Sequence, residues 1–166
     1  MKKVIILRGN SASGKTSVAK ELQERLGCNT LMISQDMIRR DILHVKDGPN
    51  TLVIPLLTNL VEYGHQHTEI TILEGIFKFE WYEPFFNHVK DLFGDEIYAY
   101  YWDIPFEETL RRHQTKIDKA KEYGATAMHK WWREKDYLTS ITETIFHENV
   151  SLEEAVNHIL QDLDQH

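Results

Sequence analysis

A chain of 166 residues with 42% apolar and 27% charged side chains has the composition of a globular protein and the length of one domain. The formal net charge of −7 argues against a protein that binds nucleic acid or an anionic membrane through its overall charge. No apolar run approaches the ~18 residues of a membrane span, and the single cysteine, Cys28, allows no internal disulfide, so we expect a cytoplasmic protein.

The chain begins with an apolar strand, predicted over residues 3–8, and a glycine-rich loop that leads into a helix over residues 15–26. Val18, Leu22 and Leu26 recur at helical spacing and indicate that helix. The loop reads G-x-x-x-x-G-K-T, and this pattern between a strand and a helix predicts a phosphate-binding P-loop. The residues predicted to bind the nucleotide are Gly9, Asn10, Ser11, Ala12, Ser13, Gly14, Lys15, Thr16 and Ser17.

The residue types in this loop suit the binding of a triphosphate. Glycines let the backbone curl so that its N–H groups point inward around an anion, and the helix N-terminus adds partial positive charge. Lys15 is a predicted catalytic residue that reaches the β- and γ-phosphates of ATP, and the Thr16 hydroxyl is a predicted Mg²⁺ ligand. A chance turn rich in glycine and serine is the alternative, which the flanking strand and helix disfavour.

Short runs rich in β-forming residues predict the other strands, at residues 30–34, 69–74, 96–103 and 143–147. Because helical patterns separate these runs, we expect an α/β fold in three layers, with a five-stranded parallel sheet and helices on both faces. One domain is predicted to span residues 1–166.

Apolar periodicity and capping residues predict the helices that follow the first, at residues 35–43, 51–63, 81–93, 105–115, 131–139 and from Ser151 onward. Gly64 is interpreted as the end of the second of these, and Ser151 with Glu154 as a capping box. Cys28 follows the first helix and is expected to be buried or unreactive.

Two carboxylates are predicted at the carboxyl edge of the sheet, where parallel α/β folds bind their ligands. Asp36 follows the second strand and is interpreted as a catalytic base for an acceptor hydroxyl, as a helix N-cap, or as both. Glu74 ends the third strand and is a candidate to hold Mg²⁺ through water, to polarise a nucleophile or to bind substrate. A solvated acid at a strand end is the alternative for Glu74.

Basic residues give two further candidate groups. Arg39 and Arg40 lie one turn past Asp36, where they either bind an anionic part of the acceptor or form a solvated helix face. Residues 111–135 contain eight Lys or Arg and three acids, a net charge of +5, so the rest of the chain carries −12. Within this segment, residues 116–130 have few apolar anchors and one glycine, which is typical of a lid that closes over a ligand.

The stretches 8–16, 34–42, 72–76 and 103–113 resemble the small P-loop kinases that phosphorylate metabolites. These include nucleoside, gluconate and shikimate kinases, chloramphenicol phosphotransferase and the zeta-toxin group, and the similarity is greatest to bacterial uridine-kinase-like proteins. The resemblance implies a sheet order of 2-3-1-4-5 and a lid after strand four. It also implies that Asp36 is the catalytic base, that Arg111 or Arg112 lies near the adenine and phosphates, and that Arg112 and Arg133 act in catalysis.

The sequence therefore predicts an ATP- and Mg²⁺-dependent kinase that acts on a small-molecule hydroxyl, as a monomer or homodimer without nucleic-acid or membrane partners. The alternative is a regulatory nucleotide-binding NTPase, which the absence of a guanine-reading N-K-x-D sequence and of a D-x-x-G switch disfavours. A nucleotide-binding module without catalysis is disfavoured by the presence of Lys15, Thr16 and Asp36. A polynucleotide kinase is disfavoured by the net charge of −7.

Overall fold

Five parallel strands form the centre of the computed structural model. The structure describes residues 1–165, with all their side chains except those of residues 119 and 120. The side chain of Lys119, a member of the basic segment, and residue His166 lie outside this description. The strand order is β2-β3-β1-β4-β5, which confirms the predicted order 2-3-1-4-5. The strands are β1 Lys3–Gly9, β2 Thr30–Ser34, β3 Ile70–Gly75, β4 Ile97–Trp102 and β5 Thr144–Phe146.

Helices connect the strands and cover both faces of the sheet. A π-helix at Ile38–Ile42 continues the short helix α2, and α6 and α7 occupy most of the predicted lid. The α-helices are α1 Lys15–Leu26, α2 Gln35–Met37, α3 Val53–His67, α4 Phe79–Phe93, α5 Phe106–Gln114, α6 Ile117–Glu122, α7 Ala125–Trp131 and α8 Leu152–Asp164. No helix in the described part of the chain is long and apolar enough to span a membrane.

Alternation along β1 builds the two halves of the core. Val4 and Ile6 point to one face and pack in a cluster with apolar residues of α3 and α4. Ile5 and Leu7 point to the other face and pack with residues of α1 and α8. All four side chains are fully buried, as expected for the central strand of a sheet that is covered on both sides. The P-loop therefore starts from the most rigid part of the fold.

Gly64 does not end α3, which continues through it to His67. A Cβ atom at this position would collide with the side chain of Thr71 on β3. Glycine is needed here because α3 and β3 approach each other closely. In the sequence alone, a glycine required for such packing cannot be distinguished from a glycine that ends a helix. The capping box at Ser151 is confirmed, since its hydroxyl accepts from the N–H of Glu154 and the Glu154 carboxylate accepts from the N–H of Ser151.

The predicted helix over residues 131–139 is wrong, because α7 ends at Trp131 and the next regular element is β5. The segment is held instead by Arg8, a fully buried residue on β1. Its guanidinium donates to the carbonyl of Asp136 at 2.8 Å and to the carboxylates of Asp136 and Glu143 at 3.2 and 2.9 Å. These contacts favour an irregular path over a helix. Cys28 is exposed rather than buried, so of the two alternatives given for it the unreactive thiol stays a prediction.

Candidate active site

The P-loop connects β1 to α1 at the carboxyl edge of the sheet. Gly14 stands at the N-cap of α1 with φ of 100°, in the left-handed region that favours glycine. The Nζ atom of Lys15 donates to the carbonyl oxygen of Asn10 at 2.7 Å and to Oγ of Ser13 at 3.0 Å. The lysine is therefore folded back over its own loop, and only 6% of it is exposed.

Thr16 and Glu74 are joined at the start of α1. The Thr16 hydroxyl donates to one carboxylate oxygen of Glu74 at 3.2 Å, and Ser34 Oγ donates to the other at 2.6 Å. Glu74 is 3% exposed, so it is not the solvated strand-end acid of the alternative interpretation. Parallel pairing brings these residues together, because Ser34 of β2 and Leu7 of β1 are both in register with Glu74 of β3.

The oxygen atoms of Thr16 and Glu74 fit a magnesium ion bound beside a triphosphate. Mg²⁺ prefers hard oxygen ligands, and in phosphotransfer sites it takes one or two of them from protein and the rest from phosphates and water. No cluster of three or more His, Cys, Asp or Glu side chains suited to a metal occurs in the described part of the chain. The oxygen donors of Thr16 and Glu74 are thus suited to Mg²⁺ when phosphates and water supply its other ligands.

Asp36 lies in the first turn of α2 and is exposed. Ser34, rather than Asp36, is the N-cap, since its hydroxyl accepts from the backbone N–H of Met37. The Oδ1 atom of Asp36 accepts from Nη2 of Arg39 at 2.9 Å and from Nε of Arg40 at 2.8 Å. The two arginines therefore orient this carboxylate at the mouth of the cleft described below.

Tyr123, between α6 and α7, joins the predicted lid to the P-loop. Its hydroxyl lies 3.2 Å from Oγ of Ser11, and its ring lies under the guanidinium of Arg40 at 5.4 Å. Arg40 also donates to Glu122 at 3.1 Å. A cavity of about 30 Å³ remains beneath the lid, lined by Ala12, Ser13, Gly14, Lys15, Thr16, Lys116 and Tyr123. The lid segment is therefore folded over the phosphate loop.

Asn10 fixes the chain that leaves the lid. Its Nδ2 donates to the carbonyl of Arg133 at 2.6 Å, and its Oδ1 accepts from the N–H of Arg133 at 2.8 Å. The guanidinium of Arg133 is exposed and lines the cleft, where it donates to the backbone carbonyls of Lys130 and Trp132. Asn10 is thus a loop residue whose side chain positions a candidate catalytic arginine.

Arg111 and Arg112, the two arginines of α5 assigned to the nucleotide, have different surroundings. Arg112 donates to the carbonyl of Ser13 in the P-loop at 2.9 Å, to the carbonyl of Glu148 at 3.0 Å and to Glu108 at 2.8 Å. Arg111 donates to Glu108 and is largely exposed. Hydrogen bonds from Arg111 and Arg112 lower the pKa of Glu108 to about 2. The structure therefore brings Arg112, and not Arg111, to the P-loop.

A cleft of about 650 Å³ adjoins the P-loop and extends beyond it. Its walls include Asp36 and Glu74 beside Lys15 and Thr16. Seven cationic and three anionic side chains line it, an excess of four positive charges in a chain whose net charge is −7. The cations are Lys15, Arg39, Arg40, Lys46, Lys78, Lys130 and Arg133. The cleft is therefore suited to anionic ligands and is large enough for more than a triphosphate.

No protein-family model matches the sequence, and no curated protein is significantly similar to it. Solved structures match over nearly the whole chain. APS kinase from Mycobacterium tuberculosis, in complex with AMPPNP and APS, is 17% identical, with a TM-score of 0.69 and 98% of each chain covered. Gluconokinase from Sinorhizobium meliloti 1021 is 14% identical, with a TM-score of 0.66 and coverage of 98% of this chain and 92% of that one. Shikimate kinase from Bacteroides thetaiotaomicron is 15% identical, with a TM-score of 0.53 and 99% of each chain covered. This chain has the fold of the P-loop small-molecule kinases.

Within this P-loop kinase fold, two groups of cleft residues had no signal in the sequence. The first is a network in which buried Gln35 donates to Asp47 at 3.0 Å and to the Tyr82 hydroxyl at 2.8 Å, while that hydroxyl donates to Asp47 at 2.6 Å. Burial and the bond to Asp47 raise the pKa of Tyr82, so its proton stays in place. The second is the pair Lys78 and Trp81, with Nζ 4.3 Å from the ring centre.

Proposed function

We propose that the protein is an ATP- and Mg²⁺-dependent phosphotransferase that moves the γ-phosphate to a hydroxyl group of a small molecule. The observation that carries this proposal is the continuity of the P-loop with a second space. One cleft joins Lys15 and Thr16, which suit a triphosphate, to Asp36, which suits an acceptor hydroxyl. Kinases require these two sites side by side because the donor and acceptor oxygens must lie in line with the transferred phosphorus.

The nucleotide half of the site would use backbone N–H groups from Gly9 to Thr16 to cradle the phosphates. Lys15 is expected to leave Asn10 and Ser13 and to bind phosphate oxygens when ATP enters. Arg112, held against the carbonyl of Ser13, adds positive charge beside the loop. Thr16 and Glu74 would hold Mg²⁺, which supplies neutralisation of the charge on the β- and γ-phosphates when bound.

In the proposed transfer, the acceptor hydroxyl oxygen forms a bond to the γ-phosphorus. The bond between this phosphorus and the β–γ bridging oxygen breaks, and ADP leaves with the electron pair. The hydroxyl proton passes to the carboxylate of Asp36. Arg39 and Arg40 both bond Oδ1, and no described residue donates to Oδ2, so the second oxygen can accept a hydrogen bond from the acceptor hydroxyl.

A regulatory NTPase without an acceptor is the second candidate function. It needs only a site for nucleotide and one water molecule. The cleft volume of about 650 Å³ and its lining by Gln35, Lys78 and Trp81 beyond the P-loop favour a kinase, because these side chains serve no purpose in hydrolysis. The matched folds include proteins named gluconokinase and shikimate kinase, which supports the same choice by analogy of fold.

The experiment that tests this function compares Lys15→Ala with Lys20→Ala, a control that removes an exposed lysine from the same helix. A thermal-shift screen of nucleosides, sugars and aminoglycosides with AMPPNP and Mg²⁺ first identifies acceptors. Transfer from ATP to those acceptors is expected to fall about 100-fold or more in Lys15→Ala and to stay unchanged in Lys20→Ala. Unchanged turnover in Lys15→Ala would contradict the proposed use of the P-loop.

A further inference from the structure

The cleft contains a buried lysine that forms no ion pair with any residue that the structure describes. Lys78 lies just beyond β3, is 8% exposed, and lines the cleft with its Nζ atom over the ring of Trp81. In the part of the chain that the structure describes, no carboxylate lies within the 4.0 Å of an ion pair with Lys78. Burying a cation without a partner costs free energy, so such a residue is a candidate for binding an anion that the free protein lacks.

Arg133 is a second cation that lines the same cleft. Burial and, after it, the positive charge of Arg133 lower the pKa of Lys78, while the carboxylates of Asp47, Glu80 and Asp136 oppose this shift from beyond ion-pair distance. Arg133 is held in place by Asn10, which bonds its backbone, and its guanidinium donates to the carbonyl oxygens of Lys130 and Trp132. An anion bound between two cations that repel each other stabilises both.

The other cations of the cleft separate into two groups. Lys15 belongs to the phosphate loop, and Arg39 and Arg40 are bonded to Asp36. The remaining four, which are Lys46, Lys78, Lys130 and Arg133, form no ion pair with any residue that the structure describes. None of these four lines the small cavity under the lid at the P-loop. The cations without an ion pair therefore line the part of the cleft beyond the P-loop, where the acceptor is proposed to bind.

We propose that the phosphate acceptor is itself an anion, and that Lys78 and Arg133 bind its carboxylate, phosphate or sulfate group. This inference rests on the proposed function, because it names the class of acceptor that the same cleft takes. An ammonium over an aromatic ring and a guanidinium beside it provide a pair of donors for such a group. The acceptor hydroxyl would then be presented to Asp36 from an anchored molecule.

The test measures anion binding with the P-loop already filled. The protein is saturated with AMPPNP and Mg²⁺ and then titrated with glycerol, glycerate, glycerol 3-phosphate and glycerol sulfate, with melting temperature and heat of binding as readouts. The four probes share a hydroxyl framework, and the charged arms distinguish a carboxylate from a phosphate or a sulfate. The variants are Lys78→Met and, as a matched removal of one exposed charge elsewhere, Lys20→Met.

At least one charged probe is expected to raise the melting temperature of the wild-type complex when glycerol does not. Lys78→Met is expected to weaken that binding by roughly 10- to 100-fold, while Lys20→Met and the affinity of both variants for AMPPNP stay unchanged. The inference is overturned if no charged probe binds better than glycerol, if binding survives in Lys78→Met, or if Lys78→Met loses AMPPNP instead. If a charged probe binds through Lys78 but ATP transfers no phosphate to any acceptor of the screen, the proposed kinase activity is refuted and the anion-binding site is retained.

Discussion

The side-chain amide of Asn10 makes two hydrogen bonds to the backbone of Arg133, one to its carbonyl at 2.6 Å and one from its N–H at 2.8 Å. Asn10 belongs to the P-loop and Arg133 to the segment that follows the lid. Asn10 thus joins the two parts of the site, and we expect a change in the loop on nucleotide binding to reach Arg133 through these bonds. Asn10 is 6% exposed, so water competes little for these bonds.

Asn10→Ala is expected to lower the free energy of unfolding by about 0.5–1.5 kcal/mol, because the partly buried N–H and C=O of Arg133 lose their partner. Urea denaturation measures this change. Transfer activity is also expected to fall, since Arg133 is released. Asn157→Ala, which removes an exposed asparagine from α8, is the control and should change stability by less than about 0.5 kcal/mol. Equal stability of Asn10→Ala and wild type would show that the two bonds do not hold the segment.

Hydrogen exchange should distinguish the lid from the segment that follows it. Residues 116–130 carry many charges and few buried side chains, so we expect their amides to exchange quickly without nucleotide and to be protected by AMPPNP and Mg²⁺. Residues 136–143 are bonded to buried Arg8 and should be protected in both states. Equal protection of 116–130 with and without AMPPNP would exclude a nucleotide-dependent lid.

Local patterns in the sequence predicted the helices, the strands and a parallel sheet, whereas the order of the strands came from the resemblance to the P-loop kinases. The P-loop, the strand runs and the capping box at Ser151 are each encoded in a few adjacent residues, and alternation of strands with helices fixes a parallel sheet. Thr16 and Glu74 were both predicted near the carboxyl edge of the sheet, because one follows β1 through the P-loop and the other ends the neighbouring strand β3. In the structure their side-chain oxygen atoms are 3.2 Å apart.

Features that depend on distant residues could not be predicted. Arg8 precedes the P-loop and, in the sequence, resembles a solvent-facing residue at a strand end. In the structure it is fully buried, and its charge is paired with the carboxylates of Asp136 and Glu143. These two partners are 128 and 135 positions away in the sequence, so no local pattern indicates them. The same contacts replace the predicted helix over 131–139. Lys78 has no neighbouring pattern that marks it, and its position becomes informative only when the cleft and the lack of an acidic partner are known.

Glu74→Gln should change the requirement for magnesium. The amide keeps the shape and still accepts from Thr16 or Ser34, but it loses the negative charge that favours a divalent cation. We expect the Mg²⁺ concentration for half-maximal transfer to rise by roughly tenfold, with AMPPNP binding in the absence of Mg²⁺ unchanged. Glu80→Gln on the exposed surface of α4 is the matched control. An unaltered Mg²⁺ dependence in Glu74→Gln would remove Glu74 from the metal site.

Binding of an anionic acceptor should weaken at alkaline pH. Burial, with help from Arg133, lowers the pKa of Lys78, while Asp47, Glu80 and Asp136 oppose this shift. The charged form that binds an anion is lost as pH rises through this lowered pKa, so affinity should decline at a lower pH than for an ordinary lysine. Between the lowered pKa and the value of the unfolded chain, the unfolded state binds more protons, so the contribution of Lys78 to stability rises with pH.

Lys78→Met is the variant that tests this pH dependence. It should abolish the alkaline decline in acceptor affinity without lowering the melting temperature at neutral pH, because the buried ammonium is removed along with its desolvation cost. Acceptor titrations from pH 7 to 10 by calorimetry measure the effect. A decline of the same size and midpoint in Lys78→Met would assign the titration to another group.

The most direct test of the proposed kinase activity follows the labelled γ-phosphate of ATP in wild type and in Asp36→Asn, with the acceptor that the screen identifies. Wild type is expected to move the label to the acceptor. Asp36→Asn should bind AMPPNP as tightly as wild type but transfer the label about two to four orders of magnitude more slowly, since it keeps the side-chain shape and loses the base. Release of all the label as inorganic phosphate by wild type, or full transfer by Asp36→Asn, would contradict this account.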